Sequence, residues 1–555
     1  MKRGLLPAGL IFVLLSCNPP PTYDLLIKNA TLYDGTGAVP MRGDLAVQGD
    51  TIVAVGTFHA RGKTEIDARG AALAPGFINM LSWADDALVQ DGRSLSDLKQ
   101  GVTLEVMGEG WSPGPRKRRK KNDTLWTTLG GYFEHLKKRG VSVNYTSFVG
   151  ATTVRDYVLG TENRTPTPAE LEKMKELVAA AMREGAVGLS SSLIYAPADF
   201  ATTEELIALS QVAAAYGGLY ASHLRSESDR IYQGLDELFR IAREARIPAE
   251  IYHLKINHAR NWNKIDTVLA KIDSARAAGL QITANMYTYA ASATGMQARL
   301  PTWVQAGGGA AMRKRLKTAT IRQRVLDELA LGIPSRNSDP KDVLVLGFRT
   351  DSLNRLYRGK RLDEIAHLHG KDGDETVIDL LVADRWNIPC IYFLISEDNL
   401  KRMLQLPYVS ICSDAYSVAA EGTRLQERTH PRAYGSFARL LARYVRDEKL
   451  MPLEEAVRRL AGLPAENLKL KKRGLLKPGY FADLVLFDPA AIQDHATFED
   501  AHQYATGVRH VWVNGVPVLW DGEHTGKYPG RPVYGPGYQP EKKVEPTTAH
   551  PPPSK

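Results

Sequence analysis

From residue 76 onward, short strand-like runs alternate with amphipathic helical stretches, and this alternation constrains the chain more than any other feature. The runs lie at 76–81, 102–107, 142–149, 186–190, 218–222, 248–252, 281–286 and 408–413. Between them, segments such as PAELEKMKELVAAAMREG and SDRIYQGLDELFRIAREAR repeat apolar residues at three- and four-residue spacings. Strands that alternate with helices make a parallel sheet, and eight of them predict an α/β fold of (β/α)8 TIM-barrel type. The interval from about 288 to 405 is too long for one loop and predicts an insertion with its own structure.

The ends of the chain read differently. Residues 23–74 are short and β-rich, and 471–530 repeat that character, with a hairpin signal at Asn514-Gly515. The two segments predict one small β-sandwich built from both ends, with the barrel spanning 75–470. Residues 531–555 are Pro-rich and polar and read as a disordered tail. At the other end, two cations precede the apolar stretch Leu5–Leu15, too short to span a bilayer, so 1–16 reads as a signal peptide. Leu14-Leu15-Ser16-Cys17 resembles a bacterial lipobox, which implies lipidation of Cys17, a tether over 17–22, and an exported lipoprotein on the periplasmic face of a membrane or at the cell surface.

Composition narrows the class. The 555 residues are 44% hydrophobic and 24% charged, ordinary globular values. The net charge of +9 owes six charges to Arg116–Lys121, so it gives little support to nucleic-acid binding; that run suits either anionic substrate or membrane, or a plain solvated loop. Three cysteines, of which Cys390 and Cys412 read as buried thiols, cannot form a disulfide framework.

In a (β/α)8 barrel the chemistry sits at the C-terminal ends of the strands. His223 ends GLYASH and His253 ends AEIYH, with one helix between them, so they project side by side into the barrel mouth and suit a zinc-like ion. Asp414 ends YVSICSD and suits a metal ligand or proton acceptor, or equally an N-cap. Lys255 and Tyr287 lie just past strand ends and suit an anionic substrate group or a polarised carbonyl. His367 and His369 have ligand-like spacing but lie in a polar helical stretch that reads as a solvated face.

At these residues the chain resembles the amidohydrolase superfamily, and more narrowly the D-aminoacylase (N-acyl-D-amino-acid deacylase) family, over about 23–530. The markers are LAPGFI, QGVT, SHLRSE, IYHLK, HPRAYGSFARLL, GLPAENLKL and RGLLKPGYFADLVLFDP. The resemblance implies a metal-dependent barrel with a flanking β-sandwich, a small-molecule N-acyl amino acid substrate, and hydrolysis in which Asp414 serves as general base. The departures are specific. Where most relatives carry His-x-His after PGFID, this chain has Leu81 and Trp83, and where they carry a cysteine ligand after the second strand it has VTLEVMGEGW. A two-ion centre is therefore not expected. The remaining ligand set is His223, His253 and Asp414 with Glu109, since Glu109 follows the strand and Glu105 falls within it. Two other readings stay open: a barrel that has lost catalysis and binds cell-wall peptides or acylated amino acids, and a hydrolase of cyclic amides, dipeptides or lactones.

Overall fold

The computed structural model describes residues 21–117, 125–333, 338–384 and 387–540. Eight barrel strands are numbered in chain order: β1 (Phe77–Asn79), β2 (Val102–Met107), β3 (Asn144–Ser147, running on into Val149–Gly150), β4 (Gly188–Ser192), β5 (Leu219–His223), β6 (Ala249–Ile251), β7 (Ile282–Met286) and β8 (Val409–Ile411). Each pairs in parallel with the next. The ring is completed where Met80 N–H donates to Ile411 O at 3.4 Å and Asp414 N–H to Leu81 O at 2.9 Å. All eight coincide with the runs read from the sequence, because strands buried on both faces are continuously apolar or small.

The helices between strands form for local reasons. Pro168–Arg183 opens on a capping box between Thr167 and Glu170, carries Pro in its first turn, and buries Met174, Val178, Ala181 and Met182 on one face. Ile231–Ala245, which follows β5, buries Leu235, Leu238, Phe239 and Ala242 in the same way. These faces cover the barrel wall and belong to its main core.

Both ends of the chain build one nine-stranded sheet beside the barrel. Strands from 22–75 and from 484–524 meet where Ala72–Pro75 runs antiparallel to Leu484–Phe487. Leu25, Ile27, Leu45, Ile52, Leu484 and Trp512 form its core. The turn at Asn514-Gly515 has both residues at positive φ, 50° and 77°, as a tight hairpin requires.

Between β7 and β8, Ser292–Gly295, Val343–Val345 and Pro389–Tyr392 form a small antiparallel sheet. Helices Ala319–Ala330, Leu362–His369 and Gly373–Ala383 pack on it around Val325, Leu362 and Ile378. His369 hydrogen-bonds the Tyr357 hydroxyl at 3.0 Å and takes no part in the site.

Two expected boundaries move. The tether to residue 22 is one residue too long, because strand Thr22–Leu32 already begins there. The tail does not start at 531: Val533 N–H donates to Tyr145 O at 2.8 Å, Gly535 N–H to Gly185 O at 2.9 Å, and the Tyr534 and Tyr538 rings stack 3.7 Å apart. Aromatic stacking and main-chain pairing order a stretch whose Pro and Gly content suggests otherwise. Cys17, the signal peptide, 118–121 of the basic run and 541–555 lie outside the described residues. Arg116 and Lys117, the described part of that run, lie over the rings of Trp126 and Tyr157. Among the described residues, no helix is long and apolar enough to cross a membrane.

Candidate active site

The strand ends deliver three donors to one point. His223 is the last residue of β5, and His253 lies two residues past β6. Glu109 lies two residues past β2, behind Gly108, whose φ of 97° turns the chain inward. A Cβ on Gly110 would stand 1.9 Å from Ser192 Oγ, so the glycine lets β4 grip this loop. Ser190 Oγ accepts from Gly110 N–H at 3.0 Å, and Ser192 Oγ donates to Glu109 O at 3.0 Å.

Glu109 Oε1 then lies 3.1 Å from His223 Nδ1 and 3.2 Å from His253 Nε2. One donor atom from each residue lies within 4.8 Å of the others. His253 is held there against its backbone preference, at φ 34°. Left-handed geometry costs a non-glycine residue about 1–2 kcal/mol. The compensating contacts are visible: His253 N–H donates to Asn285 Oδ1 at 2.8 Å, and Asn285 Nδ2 donates to Glu250 Oε1 at 2.7 Å.

A second carboxylate backs the imidazoles. Glu227 lies 3.1 Å from His253 Nδ1 and 3.4 Å from His223 Nε2, and accepts from Lys255 Nζ at 2.7 Å. Burial would raise the carboxyls of Glu109 and Glu227. For Glu109 the hydrogen bonds and charges of His223 and His253 outweigh burial; for Glu227 the charges of both histidines and Lys255 do so. Both stay well below the ordinary carboxylate range. Burial and Lys255 would lower His253, but Asp414, Glu227 and Glu109 raise it to about 9.

Asp414 faces the same cleft from the loop after β8, at φ 50°. It is not among the three donors that cluster within 4.8 Å. Its Oδ2 meets the buried guanidinium of Arg432 at 2.6 Å, while Oδ1 is buried without a hydrogen-bond partner. Burial raises its carboxyl, opposed by Arg432. Arg432 is fixed in turn: His430 Nδ1 accepts its main-chain N–H at 3.0 Å, and the Tyr287 ring lies 4.5 Å from its guanidinium carbon. The Asp414 loop rests on Asn79, whose Oδ1 accepts from Ser413 N–H at 2.9 Å and whose Nδ2 donates to Glu105 Oε2 at 3.0 Å. Glu105 is therefore part of the buried support behind the site, and Glu109 is the carboxylate within it.

Of the expected residues, the structure brings Glu109, His223, His253, Lys255 and Asp414 to one cleft. Tyr287 is not a wall of that cleft; it is fully buried behind Arg432, and burial pushes its hydroxyl up. Leu81 is core, whereas Trp83 lines the cleft. Glu227, Arg432 and His430 carry structure here that sequence reasoning did not single out. Glu227 lies four residues after His223, and both others sit in HPRAYGSF, so spacing and motif were the available signals.

A family model described as "Amidohydrolase family" matches residues 422–519. D-aminoacylase from Alcaligenes xylosoxydans xylosoxydans is 34% identical over 521 residues, covering 92% of this chain and 97% of that protein. The chain belongs to the D-aminoacylase family of amidohydrolases. A D-aminoacylase structure, solved in work on one-metal activation and second-metal attenuation of its binuclear center, superposes with TM-score 0.78 at 32% identity, covering 92% of this chain and all of that one. The N-acyl-D-glutamate deacylase of Bordetella bronchiseptica, complexed with zinc and a phosphonate inhibitor, gives TM-score 0.78 at 29% identity, covering 93% of this chain and all of that one. Two imidazoles and one carboxylate whose donors converge in a buried cleft fit a divalent cation.

Proposed function

We propose that this chain hydrolyses the amide bond of N-acyl-D-amino acids, using a single zinc ion held by Glu109, His223 and His253. The observation that carries the reading is the convergence of those three donors, at the ends of β2, β5 and β6, in the cleft that also holds Asp414. When bound, such an ion lowers the pKa of water and polarises the scissile carbonyl.

The chain's own groups supply the rest. Arg432 holds Asp414 through Oδ2, which leaves Oδ1 to take the proton from the attacking water and return it to the departing amine nitrogen. Lys255, a cleft wall, meets the substrate carboxylate or the developing oxyanion. Tyr287 acts one step back by packing its ring on Arg432. Glu227 accepts from Lys255 and orients the imidazoles from behind, as carboxylates commonly do at metal sites.

Elemental analysis of the purified protein, paired with hydrolysis of a panel of N-acyl-D- and N-acyl-L-amino acids, tests the reading. About one zinc per chain with chelator-sensitive, D-selective turnover is the expected result. A protein without metal and without turnover on any of them would instead support a ligand-binding barrel. The lipobox supports export and anchoring through Cys17. Cys17→Ser is expected to move the protein from the membrane to the soluble fraction and to abolish labelling by radioactive palmitate.

A further inference from the structure

We infer that Trp83 is a positioning residue that assigns the two oxygens of Glu109 and thereby sets how that carboxylate presents to the ion; this rests on the one-ion reading above. The indole Nε1–H donates to Glu109 Oε2 at 3.0 Å. The other oxygen, Oε1, is the one that lies 3.1 Å from His223 Nδ1 and 3.2 Å from His253 Nε2. One carboxylate oxygen is thus claimed by an indole, and one is left for the imidazole side.

The indole is itself held firmly. Its main-chain N–H donates to Ala415 O at 2.9 Å, next to Asp414. Its ring meets Tyr416 edge-on at 5.4 Å and lies 5.4 Å from the Arg432 guanidinium carbon. Trp83 therefore ties the Glu109 loop to the loop of Asp414, and it fills space beside the cleft with an aromatic body that cannot ligate a metal. An indole N–H only donates, so it cannot be satisfied by Lys255 or Arg432 and it selects the carboxylate. Glu109 gains correspondingly: without that donor, Oε2 would be free to join Oε1 on the cation or to turn toward the positive charge of Arg432. Glu109 would therefore offer one oxygen to a bound ion, which with the two imidazoles makes three protein ligands, the number a hydrolytic zinc site takes.

Two substitutions test this on the purified protein, each checked by thermal unfolding. Trp83→Phe keeps the aromatic body and removes the donor. Its zinc affinity, measured by competition with a chromophoric chelator, is expected to fall by about 10–100-fold, the usual effect of losing a hydrogen bond to a metal ligand. Loaded with Co(II), it should show weaker visible absorption than wild type, because Oε2 joins the coordination sphere. Glu109→Gln is the second test. With the indole holding the amide oxygen, the amide nitrogen must face the imidazoles, so this near-isosteric variant should lose zinc altogether. Wild-type zinc affinity and Co(II) spectrum in Trp83→Phe would overturn the inference while leaving the one-ion reading intact, whereas zinc retained within about tenfold in Glu109→Gln would overturn it together with Glu109's place in the donor set. A wild-type protein that takes up no zinc would overturn both.

Discussion

Asp414 and His253 both adopt left-handed backbone conformations, at φ 50° and 34°, and both are held there by hydrogen bonds to their main-chain N–H groups. Such strain is retained only where neighbours over-determine it, and here it aims two functional side chains into one cleft. The roles assigned to them separate by experiment. Asp414→Asn keeps the size and the contact with Arg432 but removes the proton acceptor at Oδ1. It should retain about one zinc per chain and lose about 10²–10⁴-fold in kcat, the range for a general base. His223→Ala removes a donor and should lose both the metal and turnover, as shown by elemental analysis beside steady-state rates. A His223→Ala protein with unchanged metal content would refute the donor set, and an Asp414→Asn protein with unchanged kcat would refute the base.

At the scale of the element, β6 and β7 carry a buried support whose pH dependence is the reverse of the usual one. Glu250 on β6 receives Asn285 Nδ2 and Thr283 Oγ1 at 2.7 and 2.9 Å, yet burial dominates and pushes its carboxyl from 4.5 up to about 7. The folded state then keeps a proton that the unfolded chain releases, so this group lowers stability as pH rises from about 4.5 to about 7. The loss is on the order of 3 kcal/mol above that window, from about 1.4 kcal/mol per unit. Glu250→Gln should flatten the pH dependence of unfolding by denaturant between pH 4.5 and 7 and raise stability at pH 8; an unchanged slope would place the titration elsewhere. Several of the eight strands were legible in the sequence as short apolar runs ended by a polar residue, whereas the largely polar Asn144–Ser147 and Gly188–Ser192 were legible from their places between helical stretches. The donors His223 and His253 were legible for the same reason, as the polar ends of such runs. Arg432 was not, because a cation inside a helix-like motif reads as solvated, and only the fold buries it against Asp414. Tyr287 was legible as a strand-end residue, but a sequence position could not say whether its hydroxyl reaches the cleft or its ring backs Arg432.

The whole molecule is one barrel flanked by a sheet from both ends of the chain, with an inserted subdomain whose Thr294, Arg299, Tyr392 and Leu394 complete the cleft. The insertion was legible only as excess length, because its own strands are three or four residues long and Ser292–Gly295 finds its partner Pro389–Tyr392 only at the far end of the insertion. The stretch 531–540 departs from the sequence expectation for a related reason. Its Pro and Gly content signals disorder locally, whereas its order comes from partners far away: Tyr145 on β3, and Arg183 and Gly185 before β4. Tyr534 also meets Phe133 edge-on at 6.1 Å, on the helix between β2 and β3. The segment is thus a strap across the outside of β3 and β4 rather than a free end. A chain truncated after residue 540 keeps every one of these contacts and is the reference for a shorter one. Truncation after residue 530 removes the buried Val533 side chain, the Tyr534–Tyr538 stack and the main-chain bonds, and should lower stability by about 2–4 kcal/mol on area and aromatic-pair grounds. Because the strap bonds Arg183 and Gly185 just before β4, and β4 grips the Glu109 loop through Ser190 and Ser192, the shorter chain should also bind zinc more weakly than the 540-residue one. Equal melting temperatures for the two truncations would show that the strap lies on the barrel without stabilising it.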